Sequence, residues 1–122
     1  MYKFLLPFCL LLAINLMGQE FDGFALYNSL NSSTTYLIDK DGDIVHRWNL
    51  PTRGNYAVLL KDNGNIVRGA IYDNNDIRGA AVGGMVQEWD KDANLVWEHV
   101  YSDATKVSHH DCLLYTSPSP RD

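Results

Sequence analysis

The sequence is poor in cysteine, proline and charge. Its 122 residues include two cysteines, Cys9 and Cys112, and four prolines, and 20% of the residues are charged. Two cysteines allow one disulfide and exclude a four-cysteine metal site. The net charge of -5 argues against nucleic acid and anionic membrane surfaces as partners, because both would repel the chain. A hydrophobic fraction of 46% nevertheless indicates a globular chain rather than a disordered one.

Helical periodicity is also missing, and the one long apolar run lies at the amino terminus. Residues 4–17 are almost unbroken apolar sequence behind Lys3. At about 14 residues this run is shorter than the roughly 20 that span a bilayer, and Gly18 and polar residues follow it. We therefore predict a signal peptide over residues 1–18, export to the periplasm, the cell surface or the medium, and no stable membrane anchor.

The carboxyl terminus changes character abruptly after Asp111. Residues 112–122 (CLLYTSPSPRD) resemble, codon for codon, the translation of a common transposon-end sequencing adapter. Our hypothesis is that this tail is not native and that the gene continues beyond Asp111. Residues 19–111 then hold eight basic and fourteen acidic residues, a net charge of -6, and no cysteine. Such a chain keeps its fold by core packing alone, without a disulfide.

Residues 34–100 have the composition of β-hairpins. Three runs of β-branched and aromatic residues are each interrupted by five turn-forming residues, at 39–43 (DKDGD), 61–65 (KDNGN) and 90–94 (DKDAN). The segment 39–45 (DKDGDIV) also aligns with 90–96 (DKDANLV), 51 residues later. A period near fifty residues that contains two hairpins is typical of the four-stranded blade of a β-propeller. A β-sandwich or jelly roll is the alternative, although neither needs such a repeat.

The predicted blade gives each predicted strand a position in the propeller. We predict inner strands at 55–61 and 65–71 and outer strands at 85–90 and 94–100. The segment 109–111 then begins the innermost strand of the next blade, and the hairpin 34–50 forms the outer half of a last blade that strands from beyond Asp111 complete. Innermost strands line the central channel of a propeller, where ligands usually bind. The prediction is therefore an all-β chain, a β-propeller fragment with one complete blade and parts of two neighbours.

Several segments carry a family resemblance. The chain from residue 21 to 111 resembles the start of a bacterial aryl-sulfate sulfotransferase. The segments that carry the similarity are 33–39 (STTYLID), Gly42, Val45-His46, Trp48, Leu59-Leu60, 63–65 (NGN), 83–90 (GGMVQEWD), 94–98 (NLVWE) and 109–111 (HHD). The resemblance implies a six-bladed propeller that transfers a sulfuryl group from an aryl sulfate to a phenol. It implies a transiently sulfated histidine, no nucleotide sulfate donor and no cofactor. Aryl sulfates and phenols would be the small-molecule partners.

His109 and His110 are the candidate catalytic residues. A neutral imidazole is nucleophilic near neutral pH, and attack on an aryl sulfate splits one transfer into two steps. If the pair lies in a strand, one ring at most faces the channel, and we favour His110. The family's other channel histidines and arginines would lie beyond Asp111, so the pair could bind sulfate without being the nucleophile. The chain alone is expected to be inactive, because it cannot close a ring of four to eight blades.

Other residues have simpler explanations. Without the resemblance, a His-His pair is more often a surface or turn feature. His46 and His99 are predicted in outer strands and receive no function. Asp39, Asp41 and Asp43 resemble a calcium loop, but the loop lacks the required Gly and Glu positions, so they are assigned to a turn and no metal is predicted. The three tryptophans are predicted to pack between blades, and Gly83-Gly84 either admits a substrate closely or makes a tight start of a strand.

Overall fold

The computed structural model describes residues 22–80 and 82–111. The predicted signal peptide and the adapter-like tail lie outside the described residues. Within those two ranges the chain forms no helix and seven strands, which confirms the all-β prediction; they are β1 (Phe24–Asn28), β2 (Thr34–Asp39), β3 (Ile44–Asn49), β4 (Gly54–Leu60), β5 (Ile66–Ile71), β6 (Gly84–Trp89) and β7 (Leu95–Val100). No membrane-spanning helix is found in the part of the chain that the structure describes.

The strands form two antiparallel sheets in chain order. One sheet has three strands, β1-β2-β3, and the other has four, β4-β5-β6-β7. The four-stranded meander has the boundaries that the hairpin pattern predicts, to within about a residue at each end. Each consecutive pair is joined by a short connection except β5 and β6, between which residues 72–83 form a longer loop.

The 51-residue repeat is present in the backbone. In the β2–β3 hairpin Leu37 pairs with His46, and in the β6–β7 hairpin Glu88 pairs with Trp97 at the equivalent positions. The pairing shifts at the next residue in both hairpins, so the β-bulge is repeated as well. Because an irregularity of register is retained at the same offset, the two hairpins are copies of one structural unit.

The turns of the two hairpins also match. The N–H of Asp39 donates to the carbonyl of Asp43 at 3.0 Å, and the N–H of Asp90 donates to that of Asn94 at the same distance. The fourth turn residue has positive φ in both, +88° at Gly42 and +63° at Ala93. The side chains of Asp39 and Asp90 each accept two backbone N–H groups within their own turns, which explains why Asp begins both turns.

β1 is a strand that the sequence did not predict. The hairpin 34–50 was expected to be the outer half of a last blade completed by strands from beyond Asp111, whereas β1 pairs with β2 along its whole length, from Phe24 with Asp39 to Asn28 with Thr35. β1 also contacts β4, and the amide of Asn28 donates to the carbonyl of Asn55 in that strand. The β1–β4 contact therefore joins the two sheets at the first strand of each.

The core lies between the two sheets. Its buried residues are Trp48, Leu50, Ile66 and Trp89, and the partly buried Leu26, Leu37, Val58 and Ala93 pack against them. The indole of Trp48 in β3 also donates a 2.9 Å hydrogen bond to the carbonyl of Asp90 in the β6–β7 turn. Of the tryptophans that were predicted to pack between blades, Trp48 and Trp89 lie in this core between the two sheets. Trp97 is 42% exposed and points to the opposite side of the four-stranded sheet.

Each sheet also has an outer face that is rich in large side chains. We call the outer face of the four-stranded sheet the β7 face; it carries Val67, Val86, Glu88, Trp97 and His99, which are paired across β5, β6 and β7. We call the outer face of the three-stranded sheet the β2 face; it carries Tyr27, Tyr36, Ile38, Ile44 and Arg47. Tyr27 and Tyr36 stack there with ring centroids 5.3 Å apart, and Tyr27 is 43% exposed.

Candidate functional site

The candidate site lies where β4 and β6 begin. The segment after β7 returns to this end of the sheet through a single bridge between Ser102 and Val107. Ser108 then receives hydrogen bonds from β6: its carbonyl accepts the N–H of Gly83 at 3.0 Å and that of Gly84 at 3.1 Å, and its hydroxyl oxygen lies 2.9 Å from the Gly84 nitrogen. These bonds fix the backbone immediately before His109 and His110.

Gly83 is the point of closest backbone approach. A Cβ atom at this residue would lie 3.0 Å from the carbonyl oxygen of His109 and 2.8 Å from the amide nitrogen of Asn55. That amide donates to the same His109 carbonyl at 3.4 Å. Gly84 follows with φ of +91°, and a side chain there would collide with Asn75. The glycine pair therefore makes the tight start of β6 and leaves room for the histidine segment to pack against it.

The two histidines contact each other directly. The Nδ1 atoms of His109 and His110 lie 2.5 Å apart, and the ring planes are nearly perpendicular at 80°. The expected innermost strand is not formed here, because residues 109–111 are irregular. The alternation argument that favoured His110 over His109 therefore does not apply. One Nδ1 carries a proton that the other accepts, so the pair behaves as one hydrogen-bonded unit.

Two neighbours orient His110. Its ring meets the ring of Tyr56 edge-on, with centroids 5.9 Å apart, and its Nε2 lies 3.8 Å from a carboxylate oxygen of Asp111. Tyr56 follows Asn55 in β4, whose side-chain carbonyl accepts the Tyr56 N–H at 2.7 Å. The first residues of β4 thus contact both the backbone of His109 and the ring of His110.

A cavity of about 320 Å³ lies at the same end of the sheet. It is lined by the β5–β6 loop and by the turn after β1, and both Arg53 and Arg78 contribute to its wall. Arg53 forms a 2.6 Å ion pair with Asp73. Asn75 connects the cavity to the histidines, because its amide donates to the carbonyl of Gly83 at 3.1 Å. The cavity wall therefore carries two arginines, of which Arg53 is paired with Asp73, and Asn75 links this wall to the glycine pair that packs against His109.

The remaining histidines and acidic turns have structural contacts. His46 Nε2 lies 2.9 Å from the carbonyl of Lys91, across the two sheets, and His99 is exposed on the β7 face. The side chain of Asp39 accepts hydrogen bonds from the backbone N–H groups of Asp41 and Asp43 within its own turn. Across residues 22–80 and 82–111 no group of three or more His, Cys, Asp or Glu side chains is placed to hold a metal ion.

Two buried charged residues were not identified from the sequence. Glu88 is 4% exposed and accepts hydrogen bonds from Lys61 at 2.8 Å, Asn65 at 2.7 Å and Trp97 at 2.7 Å. These donors, Lys61 first, hold the pKa of Glu88 below its usual value. Arg68 is fully buried between the sheets, where its Nη2 donates to Thr52 at 2.6 and 2.7 Å. Burial lowers the pKa of Arg68 to about 10.

For both residues the available sequence signal is the alternation of side chains along a strand. A charged residue in such a pattern is expected to face water. Glu88 breaks that pattern because Lys61, Asn65 and Trp97 surround its carboxylate. Arg68 breaks it because it pairs with Val58 on the face that packs against the other sheet. No sequence spacing identifies Lys61 and Trp97 as the partners of Glu88, since they come from two different hairpins.

No family model, no curated protein and no solved structure matches the chain.

Proposed function

We propose that this chain is part of an exported β-propeller enzyme that transfers a sulfuryl group from an aryl sulfate to a phenol through a sulfated histidine. The observation that carries the proposal is the His109–His110 pair, with its Nδ1 atoms 2.5 Å apart beside the first strand of a four-stranded sheet. The resemblance of residues 21–111 to aryl-sulfate sulfotransferases supplies the reaction class. The glycine pair and Asn55 supply the rigid support that a nucleophile requires.

The sheets support a propeller over a two-layer sandwich. In a sandwich the outer faces are solvated and polar, whereas each propeller blade packs both faces against neighbours. The β7 face carries Trp97 and Val86, and the β2 face carries stacked Tyr27 and Tyr36. Two apolar outer faces and a repeated hairpin favour blades within a ring. The six-bladed count comes from the resemblance alone.

The contacts of the histidines suggest their separate roles. We assign a proton to Nε2 of His110, the ring nitrogen that lies 3.8 Å from the carboxylate of Asp111, and in that tautomer Nδ1 of His110 accepts the shared proton from Nδ1 of His109. Nε2 of His109 then carries the free lone pair. In the first step this lone pair attacks sulfur, the bond between sulfur and the aryl oxygen breaks, and the phenolate leaves with the electron pair. The Nδ1 proton of His109 moves to His110, which protonates the phenolate.

The second step reverses the first with another phenol. His110 takes the proton of the acceptor hydroxyl, the acceptor oxygen attacks sulfur, and the N–S bond breaks. The shared proton then returns to His109. The sulfuryl oxygens need cationic hydrogen-bond donors in both steps. Among the described residues, Arg53 and Arg78 in the wall of the neighbouring cavity are the candidates for this role. The chemistry needs neither a metal nor a nucleotide donor.

The experiment follows transfer from 4-nitrophenyl sulfate to phenol by the complete product of the gene. His109→Ala is expected to lower kcat at least about 100-fold, and His110→Ala by a similar factor, because each removes one half of the proton-sharing pair. His46→Ala is the matched control and should leave kcat unchanged. Normal transfer by the folded His109→Ala/His110→Ala double variant would reject the proposal.

A non-catalytic propeller that binds small anions is the second candidate. The cavity with Arg53 and Arg78 favours it, because a guanidinium pair binds an anion without any nucleophile. The double histidine variant separates the two functions. If the protein is a binding module, the double variant keeps its anion affinity, and neither it nor the unmodified protein transfers a sulfuryl group. If the protein is an enzyme, the double variant loses the transfer activity of the unmodified protein.

A further inference from the structure

The cavity beside the start of β4 is built by the longest connection between the described strands. Twelve residues, 72–83, join β5 to β6, whereas five residues, 29–33, join β1 to β2. The two connections are equivalent, because β1 pairs with β2 in the same register of the repeat in which β5 pairs with β6. The β5–β6 connection therefore holds seven residues more than its counterpart in the other sheet.

This insertion supplies most of the cavity wall. Eight of the twelve residues that line the cavity lie between positions 72 and 82. The turn after β1, Arg53 and Ile71 supply the rest. In folds made of repeated units, residues inserted into one repeat often form a binding surface, and long loops often carry function. The insertion is therefore the part of the fold in which a further binding site is expected.

Backbone hydrogen bonds hold the walls of the cavity together. The N–H of Ile71 donates to the carbonyl of Arg53 at 2.9 Å, and the N–H of Asn31 donates to the carbonyl of Gly54 at 3.1 Å. The turn after β1, the start of β4 and the end of β5 are thereby joined. The cavity thus exists before any ligand arrives, as small-molecule sites usually do.

The cavity lies at the loop ends of the strands, away from the outer faces of the sheets. Its wall contains no residue of the β7 face or the β2 face. The blades of a propeller pack against each other through their faces. Both sheets that flank the cavity belong to the described part of the chain, so the blades that would cover the two outer faces need not cover the cavity.

Part of the cavity wall is apolar. It consists of four aliphatic side chains, each of them partly buried: Leu30, Ile71, Ile77 and Val82. Such a wall favours the apolar part of a small molecule, because contact removes apolar surface from water on both sides.

The charged part of the wall contains one cation without a partner. Arg53 and Asp73 form the 2.6 Å ion pair, so their charges compensate each other. Arg78 makes no hydrogen bond and no ion pair with any residue in 22–80 or 82–111. The wall therefore has a net charge of +1. The planar guanidinium of Arg78 matches one carboxylate or sulfate group, to which it can donate two hydrogen bonds.

We propose that this cavity binds a compact organic monoanion, an apolar ring or chain that carries one carboxylate or sulfate-ester group. The anionic group lies against the guanidinium of Arg78, and the apolar body lies against Ile77 and Val82. A neutral molecule offers Arg78 no charged partner, and an inorganic anion leaves the aliphatic wall uncovered. A second anionic group would meet either that wall or Asp73.

This inference rests on the anion-binding function proposed above and names the class of its ligand. It does not rest on sulfuryl transfer, because no histidine lines the cavity. If the transfer assay fails and the cavity still binds the monoanion, the inference stands. If transfer proceeds and the cavity binds no monoanion, the inference alone falls.

Titration calorimetry on the complete gene product tests the ligand class. The probes are 2-naphthoate, its neutral isostere 2-naphthamide, and inorganic sulfate. The affinity for 2-naphthoate is expected to exceed that for 2-naphthamide at least about tenfold, because only the carboxylate pairs with a guanidinium. It is expected to exceed that for sulfate at least about tenfold as well, because only the naphthyl ring covers the aliphatic wall.

Substitutions then test the position of the ligand. Arg78→Met keeps an unbranched apolar side chain but removes the charge, and should weaken 2-naphthoate binding at least about tenfold. Ile77→Asn should weaken it about fivefold, because it replaces apolar wall by a polar group. Arg47→Met is the matched control, since it removes an exposed arginine that is not in the cavity wall, and it should leave the affinity unchanged. The His109→Ala/His110→Ala double variant should also bind normally.

Protection from chemical modification locates the ligand without any substitution. Phenylglyoxal modifies exposed guanidinium groups, and peptide mass spectrometry follows each arginine separately. At about ten times its Kd, 2-naphthoate should slow the modification of Arg78 about tenfold by mass action and leave that of Arg47 unchanged. This measurement decides the question even if Arg78→Met fails to fold.

Four results would overturn the inference. The first is the absence of 2-naphthoate binding. The second is equal affinity for 2-naphthoate and 2-naphthamide. The third is equal protection of Arg78 and Arg47, or equal loss of affinity in their methionine variants, which would show unspecific attraction to surface charge. The fourth is loss of binding in the double histidine variant but not in Arg78→Met, which would place the ligand at the histidines.

Discussion

Trp97 donates an indole hydrogen bond of 2.7 Å to Oε2 of Glu88, its cross-strand partner on the β7 face. Fifty-one residues earlier the same register positions hold His46 and Leu37, of which Leu37 packs against the core and His46 contacts the carbonyl of Lys91 in the other sheet. The two hairpins therefore share their backbone register but differ in the side chains at these positions. The partly buried apolar Leu37 corresponds to the buried carboxylate of Glu88, which accepts hydrogen bonds from Lys61, Asn65 and Trp97.

Glu88→Gln should destabilise the chain by about 1–3 kcal/mol, because the amide can accept fewer of the three hydrogen bonds and leaves the ammonium group of Lys61 without a charged partner. Urea unfolding followed by tryptophan fluorescence measures the free energy of unfolding. Asp92→Asn removes an exposed carboxylate paired with Lys91 and should change that free energy by less than about 0.5 kcal/mol. Equal effects of the two substitutions would contradict the role given to Glu88.

The same carboxylate should make stability depend on pH. The pKa of Glu88 in the folded chain lies below its ordinary value of 4.5. Its contribution is therefore complete above pH 4.5 and is lost as pH falls toward and through the folded pKa. The free energy of unfolding measured from about pH 7 down to about pH 3 should fall less steeply in Glu88→Gln than in the unmodified chain. Parallel curves would show that other carboxylates account for acid unfolding.

Gly64→Ala should cost about 1 kcal/mol through backbone conformation alone. Gly64 has φ of +85°, and an added Cβ would have no heavy atom within 4 Å, so no collision contributes. Gly79→Ala is the control, because its Cβ would make only an ordinary contact with Val82 and its φ is not in the left-handed region. Thermal unfolding should show a lower Tm for Gly64→Ala and an unchanged or higher Tm for Gly79→Ala. The reverse order would contradict the assigned turn.

Gly83→Ala should displace the histidine segment without unfolding the sheet. The new methyl group would lie 2.8 Å from Nδ2 of Asn55 and 3.0 Å from the carbonyl oxygen of His109, so the Asn55 amide must shift and the His109 carbonyl that it binds is displaced with it. In the complete gene product we expect kcat for transfer from 4-nitrophenyl sulfate to fall about 10- to 100-fold, because small displacements of a nucleophile have effects of that size. Unchanged kcat in Gly83→Ala, with the same circular dichroism spectrum, would separate the glycine pair from the site.

The hairpins could be predicted because their determinants are local. A turn that begins with Asp39 or Asp90 closes on its own side chain, and Gly42 supplies the positive φ that the fourth position needs. β1 was missed because no such turn precedes it. The short run Phe24–Asn28 forms a strand because it pairs with β2 and contacts β4. The residues of the run itself do not indicate either of these long-range contacts.

The site was predictable only in part. The residues His109 and His110 stood out in the sequence, but their contact depends on an irregular backbone that Gly83, Ser108 and Asn55 hold from three separate segments. A strand would have separated the rings onto opposite faces. Long-range backbone packing, rather than local propensity, brings the two imidazoles together.

The most direct test of the proposed chemistry is to locate the sulfuryl group on the enzyme. The complete gene product is mixed with 4-nitrophenyl sulfate without acceptor, quenched under alkaline conditions that preserve the N–S bond, digested and analysed by mass spectrometry. The proposal predicts one sulfated peptide that contains His109 and His110, with the modification on His109 and its loss when phenol is added. A sulfated residue elsewhere, or full turnover with no sulfated peptide, would contradict it.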